Sequence, residues 1–205
     1  MTGLFISFEG PEGAGKSTQI SILAAHLRAA GHDVVLTREP GGTSAGESLR
    51  SVLLDPDQDW SPLAEALLMN AARDAHMRQV IVPALEAGQT VLCDRFCHST
   101  RAYQGGGGDV DLALLKSIEK AVCTRMPDLI LLFDLSPEEG LARAAARGRA
   151  DRFEAKGPDY HSRVAAAFRA MADEPNCHLI DAAGTVDTVS ARIRDAVDPV
   201  IGTAP

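Results

Sequence analysis

Leu4-Phe5-Ile6-Ser7-Phe8-Glu9-Gly10-Pro11-Glu12-Gly13-Ala14-Gly15-Lys16-Ser17-Thr18 is the stretch on which the reading of this chain turns. Its first part is apolar at Phe5, Ile6 and Phe8, as a strand buried on both faces of a parallel sheet requires. Its second part satisfies GxxxxGK[ST], and a helical pattern opens at Lys16. Glycines let backbone N–H groups turn inward around a phosphate, and the following helix offers its positive N-terminus. A lysine at this place spans the β- and γ-phosphate oxygens of a nucleotide, and the next hydroxyl faces Mg²⁺. Lys16 and Ser17 take those roles. Gly10, Pro11, Glu12, Gly13, Ala14, Gly15 and Thr18 complete the expected ATP-binding loop.

Outward from this loop, short apolar runs alternate with helical patterns. The runs are Leu4 to Phe8, Val34 to Thr37, Thr90 to Cys93, Leu129 to Leu135 and His178 to Ile180. Helical patterns fill roughly Lys16 to Ala30, Ala45 to Leu54, Pro62 to Ala87, Leu112 to Cys123, Pro137 to Arg147, Tyr160 to Ala172 and Val186 to Val197. Strands alternating with helices predict a parallel sheet covered on both faces. Ligands of such sheets gather at the carboxyl ends of the strands, so the residues that follow each run are the ones to search. Gly105 to Gly108 reads as a flexible loop.

The chain has 205 residues, 45% of them hydrophobic, which suits one globular domain over 1–205. No basic, then apolar, leader is seen in the first residues, so a cytoplasmic location without membrane attachment is expected. The formal charge of −8 argues against a nucleic-acid or membrane-surface binder. Four cysteines, Cys93, Cys97, Cys123 and Cys177, fit neither a zinc knuckle nor a redox pair and read as reduced packing residues. Only four lysines stand against sixteen arginines. An arginine fork grips phosphate oxygens in two places, which suits small phosphorylated ligands.

The loop alone does not separate a kinase from a GTPase or a mechanical ATPase. No NKxD tetrapeptide for reading guanine is present, and the third strand ends in Asp94-Arg95 rather than DxxG. An acid and a base are thus placed beside the γ-phosphate. At this point the chain resembles the thymidylate kinases. The resemblance rests on Phe8 to Thr18, on Thr37-Arg38-Glu39-Pro40-Gly41-Gly42-Thr43, on Asp94-Arg95-Phe96 with Ser99 and Ala102-Tyr103-Gln104-Gly105, and on Asp151-Arg152-Phe153-Glu154. It runs in order from about residue 4 to about residue 170.

That resemblance implies a P-loop nucleoside monophosphate kinase fold, α/β, with a five-stranded parallel sheet and an arginine-rich lid at about 143–156. It implies transfer of the γ-phosphoryl group of ATP to dTMP, with Mg²⁺, for dTTP synthesis. Another monophosphate kinase, for UMP, CMP or AMP, and a P-loop regulatory ATPase are the alternatives. The acceptor would lie among Arg38, Pro40, Met69, Arg73, Arg95, Ser99, Tyr103, Gln104 and Glu12. Arg95 would grip a phosphate or the group in flight, and Arg73 the thymine edge. Tyr103 would pack on the sugar and Glu12 face its hydroxyl. Met69 stands where the family commonly stacks a phenylalanine on the base. Asp94 would help hold Mg²⁺ with Ser17.

Arg143, Arg147, Arg149 and Arg152 fall around Gly148, a cluster of like charges that an arriving anion would relieve. Family members carry their catalytic arginine either in the phosphate loop or in the lid. Pro11, Glu12, Gly13 and Ala14 include none, so Arg149 or Arg147 is the candidate, with Arg143 and Arg152 supporting the nucleotide. The family's usual homodimer would use the apolar side of the Pro62 to Ala87 helix.

Overall fold

The computed structural model describes residues 3–146 and 152–201. Five strands, β1 (Phe5–Glu9), β2 (Val34–Arg38), β3 (Thr90–Asp94), β4 (Leu129–Asp134) and β5 (Cys177–Asp181), pair in parallel in the order β2-β3-β1-β4-β5. β1 is central and every one of its residues is buried, which is why it reads as an apolar run. Helices α1 (Lys16–Ala29) and α9 (Val186–Ile201) cover one face, where Leu23, Leu27, Ile193 and Val197 pack on Ile6, Phe8 and Leu131. The opposite face meets α3 (Pro62–His76), α4 (Val82–Glu86) and α8 (Pro158–Ala170). Each aliphatic or aromatic side chain so buried contributes about 1.5–3 kcal/mol.

The remaining helices are α2 (Ser44–Leu54), α5 (Cys97–Thr100), α6 (Leu112–Val122) and α7 (Pro137–Ala145). Local chemistry starts several of them: the side chains of Thr43, Ser61, Asp111 and Ser136 accept a backbone N–H at the starts of α2, α3, α6 and α7. Two departures from the sequence expectation bear on the site. The long helix from Pro62 is interrupted by a wide π turn at Met77–Ile81. Pro83 lacks the N–H that would bond the Gln79 carbonyl, and the turn before it widens.

The second departure corrects the reading of Gly105 to Gly108 as a flexible loop. α5 runs on into a π turn at Arg101–Gly107 that is buried through Gln104 and again at Gly107. A Cβ at Gly106 would stand 2.5 Å from that of Ala167, and one at Gly107 would stand 2.5 Å from the Tyr160 ring. The absent side chains let this turn lie directly on α8, where Arg163 donates to the Gly106 and Gly107 carbonyls.

Candidate active site

The phosphate loop follows β1, with positive φ at Gly10, Gly13 and Gly15. Lys16 is buried, and its Nζ donates to the carbonyls of Gly10 and Pro11 at 3.1 and 2.8 Å. Burial, helped by nearby Arg95, pushes the Lys16 ammonium down to about 8. Ser17 donates its hydroxyl to Asp94 Oδ2 at 2.8 Å. Glu12, Gly13, Ala14, Gly15, Lys16, Ser17, Thr18, Arg38 and Asp94 line one cavity, of about 460 Å³, beside which Glu154 also lies.

A second, narrower cavity opens beside it, lined by Pro40, Leu54, Met69, Arg73, Phe96, Ser99, Thr100, Tyr103, Gln104 and Phe153. Glu12, Glu39, Arg50 and Arg95 line both. The seam is built by Arg95. Its φ of 71° is left-handed, a conformation costing about 1–3 kcal/mol that the surroundings must hold. Fully buried Glu9 does so: Oε1 accepts the Phe96 N–H at 2.9 Å and Oε2 the Ser99 hydroxyl at 2.6 Å. The guanidinium then donates to the Gly10 carbonyl at 2.8 Å, to Ser99 Oγ at 3.2 Å, to Glu12 Oε1 at 2.6 Å and to Tyr103 Oη at 3.1 Å. It also lies 4.9 Å from the Tyr103 ring centroid. Burial holds the Tyr103 phenol well above its ordinary value, so it stays a donor, and it donates to Glu12 at 2.9 Å.

Arg73 is buried on the wall of the second cavity. Nε donates to Glu39 at 2.7 Å, and Nη1 and Nη2 to Asn70 and Thr100. His76 and Thr37 continue this network through Glu39. A five-donor fork with three bonds made keeps two N–H groups for a ligand. Met69 lies one turn away on the same helix face.

The sequence thus named residues of both cavities; Gly10 and Pro11 line neither and instead hold Lys16 through their carbonyls, and Arg143 and Arg152 also bond elsewhere. Arg143 donates to Glu139 and to the Ala182 carbonyl, and Arg152 to the Leu53 carbonyl and Glu65. Arg147 and Arg149 lie outside the described residues. Sequence reasoning passed over Glu9, Glu39 and Phe153, although all three stand inside the motifs it quoted. Arg50, on α2, carried no motif signal.

The crossing of a glycine loop after the central strand with a second cavity beside it is the architecture of P-loop nucleoside monophosphate kinases. A model of the thymidylate kinase family matches residues 8–193. The thymidylate kinase of Caulobacter vibrioides is 52% identical over 204 residues, covering 98% of each chain. That of Pseudomonas fluorescens strain SBW25 is 50% identical over 207 residues, covering 99% of this chain and 97% of the relative. The crystal structure of thymidylate kinase from Ehrlichia chaffeensis superposes with a TM-score of 0.78 at 31% identity, covering 96% of this chain and 99% of that one. The chain belongs to the thymidylate kinase family.

Proposed function

We propose that the protein transfers the γ-phosphoryl group of ATP to dTMP, giving ADP and dTDP. The observation that carries this reading is the shared wall: a triphosphate cavity and a smaller, partly apolar cavity meet at Arg95 and Glu12. An acceptor phosphate held at that seam faces the γ-phosphorus. Its oxygen forms the new P–O bond as the bond to the β-phosphate oxygen breaks, and the displaced charge remains on ADP. Lys16 and the loop N–H groups neutralise that leaving charge. Arg95 places its fork on oxygens where charge spreads, and holding both substrates in line supplies much of the rate.

Ser17 Oγ and Asp94 Oδ2 sit together on the phosphate cavity, a hard-oxygen pair that fits Mg²⁺, which needs few protein ligands beside water and phosphate. When bound there, Mg²⁺ would draw charge from the bridging phosphate oxygens. Residues 143–156 form the lid in this reading, with Arg147 or Arg149 supplying the second arginine at the transferring group. The sugar rests on Tyr103, and the base lies between Met69 and the Arg73 wall.

The protein works in the cytosol, where both substrates are met. No helix among the described residues is long and apolar enough to cross a membrane. Exposed Leu63 and Leu67, one turn apart on α3, supply an apolar patch that supports homodimer formation. The deciding experiment measures ADP formation from Mg²⁺-ATP with dTMP, dUMP, UMP, CMP and AMP in turn, with Lys16→Ala as the blank. Turnover favouring dTMP is expected. Preference for CMP or AMP, or no turnover with any, would overturn the assignment.

A further inference from the structure

Glu65 has no part in the chemistry above, yet this α3 residue is a carboxylate with no solvent exposure. Such a group persists only where its lone pairs and charge are met. Oε1 accepts from Arg152 Nη1 at 2.8 Å and from Lys156 Nζ at 3.4 Å, which supply the countercharge. Oε2 accepts from Gln104 Nε2 at 2.9 Å. Gln104 lines the acceptor cavity and is itself buried, and its Oε1 has no hydrogen-bond partner among the described residues.

A carboxylate only accepts, whereas an amide has one donating and one accepting end. Turning the Gln104 amide over would set two oxygens against each other and leave the Glu65 lone pair unmet. The end without a partner is therefore held as the carbonyl oxygen. We propose that Glu65 is a positioning residue for base selection. It obliges Gln104 to offer the acceptor cavity a hydrogen-bond acceptor, which suits the ring N3–H of thymine or uracil and opposes cytosine, whose N3 is itself an acceptor. This rests on reading that cavity as the seat of the monophosphate's base. Selection by an unmet buried polar group is strong because the wrong base leaves two acceptors facing.

The test is Glu65→Gln, which keeps the shape and removes the obligation: the new amide donates to Gln104 Oε1 and lets its NH₂ end turn to the cavity. Activity with dTMP, dUMP and dCMP, the KM for ATP, and thermal unfolding are measured together. KM for dTMP and dUMP is expected to rise about tenfold and the dCMP to dTMP ratio of kcat/KM by a similar factor, with KM for ATP within about twofold. The exchange variant Glu65→Gln with Gln104→Glu restores an acceptor-only group at position 104, held by an amide at 65, and is expected to recover the preference for dTMP.

A folded Glu65→Gln protein with the wild-type dCMP to dTMP ratio overturns the proposal. If that variant does not fold, the exchange variant is read alone: retained preference upholds the proposal, and lost preference overturns it. A wild-type protein that phosphorylates no monophosphate removes the functional reading itself, and the proposal with it, before any variant is compared.

Discussion

Arg95 Nη2 lies 2.6 Å from Glu12 Oε1, so the first residue after β3 and an acid inside the phosphate loop close one seam from opposite sides. The acid has no place near phosphates unless a cation covers it, and Arg95 does so while lining both cavities. The pair makes the geometry of the donor site depend on that of the acceptor site.

Arg95→Lys tests this. Lysine keeps the charge and loses the fork, so it cannot reach Gly10, Ser99, Glu12 and Tyr103 together. kcat/KM for dTMP is expected to fall by about 10²–10³-fold, the size found when one donor to a developing charge is removed. Steady-state kinetics with circular dichroism as a fold check decide it. A loss under about threefold would mean the charge alone suffices.

Tyr103→Phe keeps the aromatic packing on Phe153 and Phe168 and deletes the hydroxyl that bonds Glu12. Because Glu12 and Arg95 then lose a shared partner, kcat/KM for dTMP should fall about tenfold, the worth of one buried hydrogen bond to charged groups. The ratio of dUMP to UMP turnover should fall less, since the ring proposed to pack on the sugar remains. Measuring both nucleotides on one preparation separates the two effects.

Lys16 gives a pH dependence. Burial lowers it to about 8, so the free enzyme loses this cation as pH rises through that value. kcat/KM for ATP should show a basic limb near there. kcat should fall only at higher pH, because bound phosphates favour the charged form. An unfolded lysine keeps its proton to about 10.4, so between the two values the unfolded chain holds the extra proton and this group's contribution to stability rises with pH. Urea unfolding of wild type and Lys16→Met at about pH 7 and about pH 10 checks the sign.

Glu174 makes the opposite case. The His98 ring 3.7 Å away chiefly, with hydrogen bonds from Arg101 and Lys116 beside it, holds its carboxyl down to about 2. A depressed acid stabilises the fold above the ordinary carboxylate range, and that contribution is lost as pH falls from about 4.3 towards the folded value. Glu174→Gln should be less stable than wild type at neutral pH, with the gap closing in acid. Unchanged melting temperatures near pH 7 would remove the cluster from the account.

The parallel sheet and the phosphate loop were legible because their signals are local: an apolar run for each buried strand and a fixed spacing for the loop. The acceptor side was legible only where motifs carried it. Arg73 was placed on the wall, but the Glu39 and Thr100 that hold it lie 34 and 27 positions away in sequence, and no periodicity reports such pairings. Arg152 was grouped with its arginine neighbours by sequence. Its partner is set by Glu65, a residue 87 positions earlier. The glycine run misled because glycine marks both loose chain and close approach, and only the position of α8 distinguishes them.

That run has one more effect. Where Gly106 and Gly107 touch α8, a side chain would collide with Ala167 or Tyr160 and push away the turn that carries Tyr103 and Gln104. Those two side chains are therefore held at one distance from α8, and that side of the cavity is not easily moved to fit a larger or smaller base. Adjustment has to come from the facing helix, and Met69, a pliable thioether on that wall, stands at the place where relatives of different taste would be expected to diverge.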